Sequence, residues 1–343
     1  MLKIRVNVAS SHEIVFEKGG LADIGERVFD VVKGKKVMIV TDDNVAKLYL
    51  DTVKRSLAAK GFDVFETIVS NGEKSKTPET YLNIIDKLGG AGFLRADTVL
   101  ALGGGVVGDM AGFAAATYMR GINLVQVPTS LLAMIDSSIG GKVGVDLPYG
   151  KNLLGAFYQP KLVFVDVDVL NTLPEREWQN GLGEGLKYAL LGGGRLFDIV
   201  EAKSVKEDLE EFVYLCADYK VKVVEQDEKE LGLRRLLNLG HTLGHAIEKK
   251  SGFELPHGGA VKYGLALILQ ASTKLGSDAE DLKKAACMLA KYGADCPYDV
   301  KELLPLIKND KKAENEAINA VFVRRIGDCF VKKLSFEDFA KLF

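Results

Sequence analysis

Short apolar runs alternate with longer amphipathic stretches through the first half of the chain. The apolar runs lie at residues 37–40, 98–103, 123–128 and 161–167, and helix-like stretches such as 44–61 and 77–92 lie between them. Continuous apolar strands that alternate with helices predict a parallel sheet buried on both faces. Polar turns follow several of these strands, and ligands of open α/β sheets bind at the carboxyl ends of the strands.

The second half of the chain has a different pattern. Residues 175–255 contain no proline, and their apolar positions repeat with helical spacing. Thr172 and Glu175 fit a capping box, with Pro174 in the first turn of the helix that would follow. We therefore place a domain boundary near residues 170–180 and expect a mainly α-helical second domain. A length of 343 residues suits two domains.

Composition excludes several classes of protein. An apolar fraction of 47% and a charged fraction of 27% are typical of a folded protein, and a net charge of −2 argues against broad nucleic-acid binding. No run reaches the about 18 apolar residues of a membrane span. The N-terminus lacks the apolar stretch of a signal peptide, and the four cysteines form no CxxC motif. We expect a cytoplasmic protein that binds neither nucleic acid nor membranes.

A glycine-rich loop follows one of the predicted strands. Gly103, Gly105 and Gly108 fit the dinucleotide fingerprint G-x-G-x-x-G, although a tight turn between packed elements explains the same glycines. The acidic residue that normally follows about 20 positions later is missing, so Asp42, followed by Asn44, is the candidate for the ribose. We expect Asp109, which closes the loop, to contact a hydroxyl or an amide or to orient the loop.

Three of the four histidines cluster within 17 positions. His241 and His245 are four apart on one helix face, and His257 follows. They fit either a metal site or packed, hydrogen-bonded residues. Zinc favours imidazole nitrogen with a carboxylate oxygen, and Glu184 lies in a glycine-flanked, otherwise apolar segment. The histidine motif lacks the glutamate of HExxH, which disfavours a zinc protease.

Several basic residues stand beside glycine, asparagine or acidic motif residues. A lysine is usually a solvated surface group, but lysines bracketed by glycine resemble those of anion-binding loops. The segment 128–155 is long, rich in glycine and serine, and apolar enough to be packed. Such a loop is more often functional than not. The pattern predicts a pocket for a small, multiply anionic substrate, and the residues concerned are Lys142, Lys151, Asn152, Lys187, Lys220 and Arg234.

Taken in order, the motifs resemble those of the 3-dehydroquinate synthase family over nearly the whole chain. The motifs are NGEKSKT (71–77), LGGGVVGDMAGFAAATYMRG (102–121), VPTSLLAMIDSSIGGKVGVD (127–146), GKNLLGAFYQP (150–160), GLGEGLKYAL (181–190), QDEKELGLRRLLNLGHTLGHAIE (226–248), LPHGGAV (255–261) and NDKK (309–312). Met134, Val143 and Asp146 depart from or vary within the family pattern, and none is expected to act in the chemistry.

The resemblance implies a Rossmann-like α/β domain that binds NAD over residues 1–172. It also implies a mainly α-helical, metal- and substrate-binding domain over residues 173–343, an active site between the two and a homodimer. The metal would be Zn²⁺ or Co²⁺. The implied reaction, in the shikimate pathway to aromatic amino acids, converts the sugar phosphate 3-deoxy-D-arabino-heptulosonate 7-phosphate to 3-dehydroquinate and phosphate. The enzyme would be a carbon–oxygen lyase.

The resemblance also assigns roles to individual residues. The spacing alone suggests His241 and His245 as a ligand pair. The resemblance instead implies metal ligation by Glu184, His241 and His257, and it leaves His245 for proton transfer or substrate contact. Substrate contacts would come from Asp136, Lys142, Asn152, Lys187, Lys220, Arg234, Asn238 and His245, from Arg120 across the dimer interface, and from one of Lys311 and Lys312. NAD contacts would come from Asp42, Asn44, Glu73, Lys76, Gly105, Val106, Val107, Gly108, Asp109, Thr129, Ser130, Lys142, Lys151 and Thr172.

Three alternatives use parts of the same residue set. Another NAD- and metal-dependent sugar-phosphate cyclase, making an inosose or a valiolone, would share the cofactor residues and differ in its pocket. A metal-dependent polyol dehydrogenase would release NADH to solution. A non-catalytic NAD sensor would bind NAD without metal.

Overall fold

The chain divides into two compact units, Met1–Pro174 and Glu175–Phe343. The structure is a computed structural model that describes residues 1–311 and 317–343, the side chains of residues 308–311 excepted. The side chains of Lys311 and Lys312 therefore lie outside the described residues. Within that description, no helix combines the length and apolar character that a membrane crossing requires.

The first unit is built on a seven-stranded sheet in the order β1-β2-β9-β6-β5-β3-β4. β1 and β2 form an antiparallel hairpin, and the other neighbouring pairs are parallel. The sheet strands are β1 (Leu2–Val6), β2 (His12–Phe16), β3 (Lys36–Asp42), β4 (Asp63–Val69), β5 (Thr98–Gly103), β6 (Asn123–Pro128) and β9 (Leu162–Val165). The helices are α1 (Ile24–Val31), α2 (Asp43–Val45), α3 (Asp51–Ala59), α4 (Pro78–Gly90) and α5 (Gly105–Thr117).

The apolar runs in the sequence become the central strands of this sheet. Every residue of β5 is buried, as are the five central residues of β3, because helices cover both faces of a parallel sheet. The predicted α/β class of the first domain is confirmed. The edge strand β4 was missed, since polar residues interrupt its apolar pattern.

The segment 128–155 is not the continuous loop that we expected. A π-helical turn at Ala133–Ser137 leads into a separate two-stranded hairpin of β7 (Lys142–Leu147) and β8 (Gly150–Phe157). Val143 and Val145 are buried, and Val143 lies against Gly112 of α5, where a Cβ would overlap it. The valines that made the segment look packed therefore anchor a hairpin.

The second unit is mainly helical, as predicted, and the described part also contains one antiparallel hairpin. Its helices are α6 (Glu175–Gly192), α7 (Gly194–Ala202), α8 (Leu209–Gln226), α9 (His241–Lys250), α10 (His257–Thr273), α11 (Ala279–Ala290), α12 (Val300–Lys311) and α13 (Phe336–Ala340), and its strands are β10 (Ala317–Arg325) and β11 (Asp328–Ser335). Thr172, expected to cap the first of these helices, shares a hydrogen bond of 2.6 Å with the Tyr49 hydroxyl.

Glycines bring α6 and α10 into backbone contact. A Cβ built on Gly183 would overlap the backbone of Gly258, and a Cβ on Gly258 would overlap the carbonyl of Asn180. The Asn180 side chain also accepts a hydrogen bond from the Gly258 amide at 2.8 Å. Glu184 and His257 are the neighbours of these two glycines, so the close approach fixes their separation.

Gly183→Ala should destabilise the protein by about 1–3 kcal/mol, because the helices must separate to admit the methyl group. The separation should also move Glu184 away from His257 and weaken divalent metal binding. Gly89→Ala is the control, because a Cβ at that α4 position would meet nothing within 4 Å. Urea unfolding with zinc titration measures both effects, and a Gly183→Ala protein as stable as wild type would contradict the packing argument.

Candidate functional site

Glu184, His241 and His257 converge in the second unit. Glu184 lies in α6, and the two histidines are the first residues of α9 and α10. The Nε2 atoms of His257 and His241 lie 3.1 Å and 3.3 Å from Oε1 of Glu184. Donor atoms of the three residues all lie within 4.8 Å of one another. The three predicted ligands are therefore brought together by three different helices.

The spacing of these atoms fits a tetrahedral metal ion. Ligand bonds of 2.0–2.2 Å around zinc set neighbouring donor atoms about 3.3 Å apart, and the two separations measured from Glu184 match that edge. Glu184 is 1% exposed, and neither of its oxygens accepts a hydrogen bond of good geometry from the described residues. A divalent ion would satisfy a carboxylate in that position, and the donor set of two imidazoles and one carboxylate suits catalytic zinc.

A buried lysine completes the electrostatics of this group. The Lys187 Nζ atom lies 2.5 Å from Oε2 of Glu184, and both side chains are 1% exposed. Burial raises the pKa of Glu184, but the positive charge of Lys187 and the neighbouring imidazoles outweigh burial and hold that pKa well below its usual range. Burial also lowers the pKa of His257, while the nearby carboxylates of Glu184 and Glu248 raise it to about 10.

His245 lies beside the three candidate ligands but in a different group. Its ring centroid is 5.5 Å from that of His241 and 5.9 Å from that of His257. Its donor atom groups with those of Glu248 and His257, and among the described residues it does not join the set around Glu184. The role in proton transfer or substrate contact stays a prediction.

Three of the expected substrate contacts lie in α8 or in the segment between α8 and α9. Lys220 and Arg234 are buried at 5% and 2% exposure. The Arg234 guanidinium donates to the Glu228 carbonyl at 2.6 Å, and the Asn238 amide donates to Glu230 at 3.0 Å. Two basic side chains and an amide side chain in this part of the chain suit a polar, anionic ligand.

An aspartate that sequence reasoning missed organises the same region. The Asp227 carboxylate accepts hydrogen bonds from the amides of Leu231 (2.8 Å), Gly232 (2.7 Å) and Arg234 (3.0 Å). Glu230, also missed, has a φ of 61° in the left-handed region. The run of charges at 225–235 gave no means of separating these two acids from solvated neighbours.

In the first unit, several expected NAD contacts share one edge of the sheet. β3, β5 and β6 are adjacent and parallel, so their carboxyl ends meet at that edge. Asp42 ends β3, the glycine loop follows β5, and the Thr129 amide donates to the Gly103 carbonyl at 3.0 Å. This edge is where open α/β sheets bind ligands.

The glycine loop also satisfies the packing interpretation. A Cβ on Gly108 would lie 2.9 Å from Oε1 of Gln126 in β6, and a Cβ on Gly103 would lie 2.7 Å from Val107. Val107 is 1% exposed, so its side chain belongs to the core rather than to a ligand. Gly105 and Val106 begin α5, whose first-turn amides are donors available to a phosphate.

Other expected cofactor residues of the first unit lie at strand ends and in turns. The Asp42 carboxylate accepts hydrogen bonds from the amides of Asn44 (2.9 Å) and Val45 (3.0 Å) and so caps α2. Lys151 and Glu73 form an exposed ion pair at 3.6 Å. The Ser130 hydroxyl accepts from the Ala133 amide at 3.3 Å.

Three residues expected to serve different ligands form one hydrogen-bonded cluster. The Lys76 ammonium, which is 4% exposed, lies 2.6 Å from Oδ2 of Asp109 and 2.6 Å from Oδ1 of Asn152. Burial lowers the pKa of Lys76, but the Asp109 charge outweighs burial and raises it. The structure places the Asp109 carboxylate against an ammonium group, and the expectation that Asp109 contacts a hydroxyl or an amide or orients the loop stays a prediction.

Asn152 is held at its backbone as well as its side chain. Its φ is 57°, and its amide donates to the Asp146 carboxylate at 2.7 Å. Because the Asn152 carbonyl oxygen faces Lys76, its NH₂ group faces away and can donate to an anion.

Three other expected substrate contacts also lie in the first unit. Asp136 lies in the π-helical turn, Lys142 begins β7, and Arg120, with a φ of 62°, ends a 3₁₀ turn.

Comparisons with known proteins match this chain over its full length. The family described as 3-dehydroquinate synthase N-terminal matches residues 66–180, and the family described as 3-dehydroquinate synthase C-terminal matches residues 181–313. The 3-dehydroquinate synthase of Clostridium acetobutylicum is 43% identical over 336 residues, which cover 95% of this chain and 94% of that protein. That of Pelobacter propionicus is 41% identical, with 100% and 99% covered.

Solved structures of sugar-phosphate cyclases share the fold. A 2-deoxy-scyllo-inosose synthase complexed with carbaglucose-6-phosphate, NAD⁺ and Co²⁺ has a TM-score of 0.88, 25% identity and 99% coverage of both chains. The 2-epi-5-epi-valiolone synthase of Streptomyces hygroscopicus with NAD⁺ and Zn²⁺ has a TM-score of 0.86 and 26% identity, with 99% and 98% covered. An iron-containing alcohol dehydrogenase, at 14% identity and a TM-score of 0.67, shares the fold alone.

Proposed function

Because the chain belongs to the 3-dehydroquinate synthase family, we propose that it converts 3-deoxy-D-arabino-heptulosonate 7-phosphate to 3-dehydroquinate and phosphate. One observation in the structure supports this most strongly. Two imidazole nitrogens and a buried carboxylate converge with metal-ligand spacing beside a buried lysine. The reaction comprises oxidation at C5, β-elimination of phosphate, reduction, ring opening and aldol closure, so the enzyme is a carbon–oxygen lyase.

The chain offers separate residues for a metal ion and for NAD. Bound NAD⁺ and a divalent ion, Zn²⁺ or Co²⁺, supply a reversible hydride acceptor and a Lewis acid for a substrate hydroxyl. Glu184, His241 and His257 hold the ion. The carboxyl edge of the sheet holds the dinucleotide, with the first-turn amides of α5 directed to its phosphates and Asp42 to a ribose hydroxyl.

The basic and amide side chains bind and orient the sugar phosphate. Lys142, Asn152, Asn238 and Arg120 hold the phosphate, while Lys220 and Arg234 hold the carboxylate or ring hydroxyls. Each charge-assisted bond contributes about 1.5–3 kcal/mol. Together they offset the loss of freedom of a flexible substrate and position it for each step. Asp136 and Lys187 also contact the substrate, and His245 moves a proton or contacts it.

Phosphate release tests this proposal directly. The protein, loaded with zinc, should release phosphate from the heptulosonate phosphate with NAD⁺ present in far less than molar equivalence to substrate, and 3-dehydroquinate should form in equal amount. NADH should not accumulate. Steady growth of NADH absorbance with a polyol substrate would instead favour the dehydrogenase alternative, and NAD binding without metal binding would favour a sensor.

A second sugar-phosphate cyclase activity is the nearest rival. The full-length fold match to inosose and valiolone synthases favours it. The buried Lys220 and Arg234 favour a substrate with a carboxylate instead. A hexose phosphate, which has no carboxylate, should therefore release little phosphate when it is compared with the heptulosonate phosphate at equal concentration.

Zinc affinity should rise with pH. The pKa of His257 in the metal-free protein is raised to about 10, so below that pH zinc must displace a proton from its imidazole. The apparent dissociation constant should fall by about tenfold per pH unit between pH 7 and pH 9 for one displaced proton. Calorimetry in buffers of different ionisation enthalpy measures the released proton. An affinity independent of pH would contradict this role for His257.

We also propose a homodimer in the cytoplasm. β8 is exposed over most of its length and presents Leu153, Leu154 and Phe157 at 61%, 38% and 46% exposure. An exposed apolar edge strand is suited to pairing with a second copy, and Arg120 would then reach the phosphate of the other copy. The four cysteines form no disulfide among the described residues, which suits a reducing compartment.

Phe157→Lys should shift the protein towards monomer, because a charge replaces apolar surface in the proposed contact. Lys54→Glu, at a partly exposed position of α3 in the same unit, is the control. Light scattering after size-exclusion chromatography measures the mass. A wild-type protein that stays monomeric at high concentration would contradict the dimer.

A further inference from the structure

The two imidazoles of the candidate metal group are each held at the nitrogen that points away from Glu184. The Nδ1 atom of His241 lies 3.1 Å from the Leu239 carbonyl oxygen. The Nδ1 atom of His257 lies 3.4 Å from Oε2 of Glu248. Both rings therefore present Nε2 to Glu184 and Nδ1 to an oxygen acceptor.

Glu248 occupies a position that is costly for a carboxylate. It is 7% exposed in α9, on the helix that begins with His241 and packs against α10. Glu248 follows His241 by seven residues, so both side chains lie on the same helix face. A buried carboxylate persists only when hydrogen-bonded or paired, and His257 lies within reach.

We propose that Glu248 is a positioning residue that orients His257 for metal binding, an inference that rests on the proposed use of a metal ion. A neutral imidazole carries one proton, and the nitrogen without it is the ligand. By accepting the Nδ1 proton of His257, the Glu248 carboxylate leaves the Nε2 lone pair directed towards the group around Glu184. Leu239 does the same for His241 through its backbone carbonyl, which no side-chain substitution removes.

A carboxylate is the stronger of these two acceptors. It carries a full charge, so its hydrogen bond makes the imidazole a better donor to a cation. Removal of such an outer carboxylate generally weakens metal binding by about 10–100-fold.

The same residues offer an alternative function for Glu248, as a ligand of a second ion. Donor atoms of His245, Glu248 and His257 lie within 4.8 Å of one another and could hold an ion themselves.

The test measures Zn²⁺ binding to the full-length protein without substrate, by competition with a chelating dye. Glu248→Gln keeps the size and an acceptor oxygen and should weaken binding by about tenfold, whereas Glu248→Leu removes the acceptor and should approach a hundredfold. Glu302→Gln is the matched control, because Glu302 pairs with Lys250 at an exposed position in the same unit. Its affinity should equal that of wild type.

The Co²⁺-loaded proteins supply a second readout. The visible spectrum of bound Co²⁺ should change in Glu248→Gln, because the ring of a ligand is held differently. A purely structural role would lower the melting temperature of the metal-free protein without changing zinc affinity or the spectrum, and that result would overturn the proposal. Two ions bound by wild type and one by Glu248→Gln would also overturn it, in favour of a second metal site.

The zinc-binding test of Glu248 and the phosphate-release test of the proposed function can fail independently. Unchanged zinc affinity in Glu248→Gln, with normal phosphate release by wild type, refutes the positioning role alone. Weakened zinc binding in the variants, with no phosphate release by wild type, refutes the proposed reaction and leaves the positioning role standing.

Discussion

His257→Ala is expected to abolish stoichiometric zinc binding and to lower kcat by about a thousandfold or more, while the protein stays folded. The imidazole provides one of the three candidate ligands found among the described residues, and its Nε2 atom lies 3.1 Å from Glu184. Loss of a Lewis acid costs several kcal/mol of transition-state stabilisation, and each 1.36 kcal/mol is about tenfold in rate.

His12→Gln is the control for this variant. His12 is the one histidine outside the cluster and lies in β2 of the other unit. Metal analysis after gel filtration should find one zinc per chain in the control and none in His257→Ala, and circular dichroism reports folding. Full turnover by His257→Ala, or by wild type in the presence of a strong chelator, would contradict a catalytic metal.

Lys76→Met is expected to destabilise the first unit by about 3–5 kcal/mol and to weaken NAD⁺ binding strongly. The ammonium is buried between Asp109 and Asn152, so its removal leaves the largely buried Asp109 carboxylate, at 19% exposure, without its cation. Asn152 also loses the donor that fixes its side chain. NAD⁺ binding, which involves Lys76 and Asp109, and substrate binding, which involves Asn152, should therefore weaken together.

Two further variants isolate the cause. Lys76→Met/Asp109→Asn removes both charges and should recover most of the lost stability, because no unpaired charge remains. Lys54→Met breaks an exposed ion pair in the same unit, with both side chains 39% exposed, and should cost no more than about 1 kcal/mol. Urea unfolding and NAD⁺ calorimetry measure the effects. Equal costs for Lys76→Met and Lys54→Met would contradict the cluster.

The sequence predicts the central fold well because burial leaves a direct signal. β5 is apolar at every position because helices cover both faces of the sheet, and the residue pattern shows this without any knowledge of neighbours. The edge strand β4 and the hairpin of β7 and β8 are half exposed or paired only with each other. Their patterns are correspondingly weaker.

The sequence likewise predicts one part of the candidate metal site and not the other. Histidine clustering located the region, but helical spacing alone pairs His241 with His245, whereas the structure groups His241 with His257 and Glu184. That grouping depends on how α6, α9 and α10 meet, and Gly183 and Gly258 set the distance. The family resemblance named the same three residues that the structure groups, because a family pattern reflects this packing implicitly.

The residues that sequence reasoning missed act through tertiary contacts. Glu248 reaches His257 from another helix. Lys76 was expected to contact NAD, but its hydrogen bond with Asn152, 76 positions away in the chain, was not anticipated. Asp227 and Glu230 lie in a charged segment where solvated acids look the same. No local pattern distinguishes a carboxylate that organises a site from one that only faces water.

Anomalous X-ray diffraction from crystals of the zinc-loaded protein tests the central claim most directly. We predict one anomalous peak in the second unit, at about 2.0–2.2 Å from Nε2 of His241, Nε2 of His257 and a carboxylate oxygen of Glu184. A peak that lies elsewhere, or a protein that binds no zinc while these three side chains keep their positions, would contradict the account.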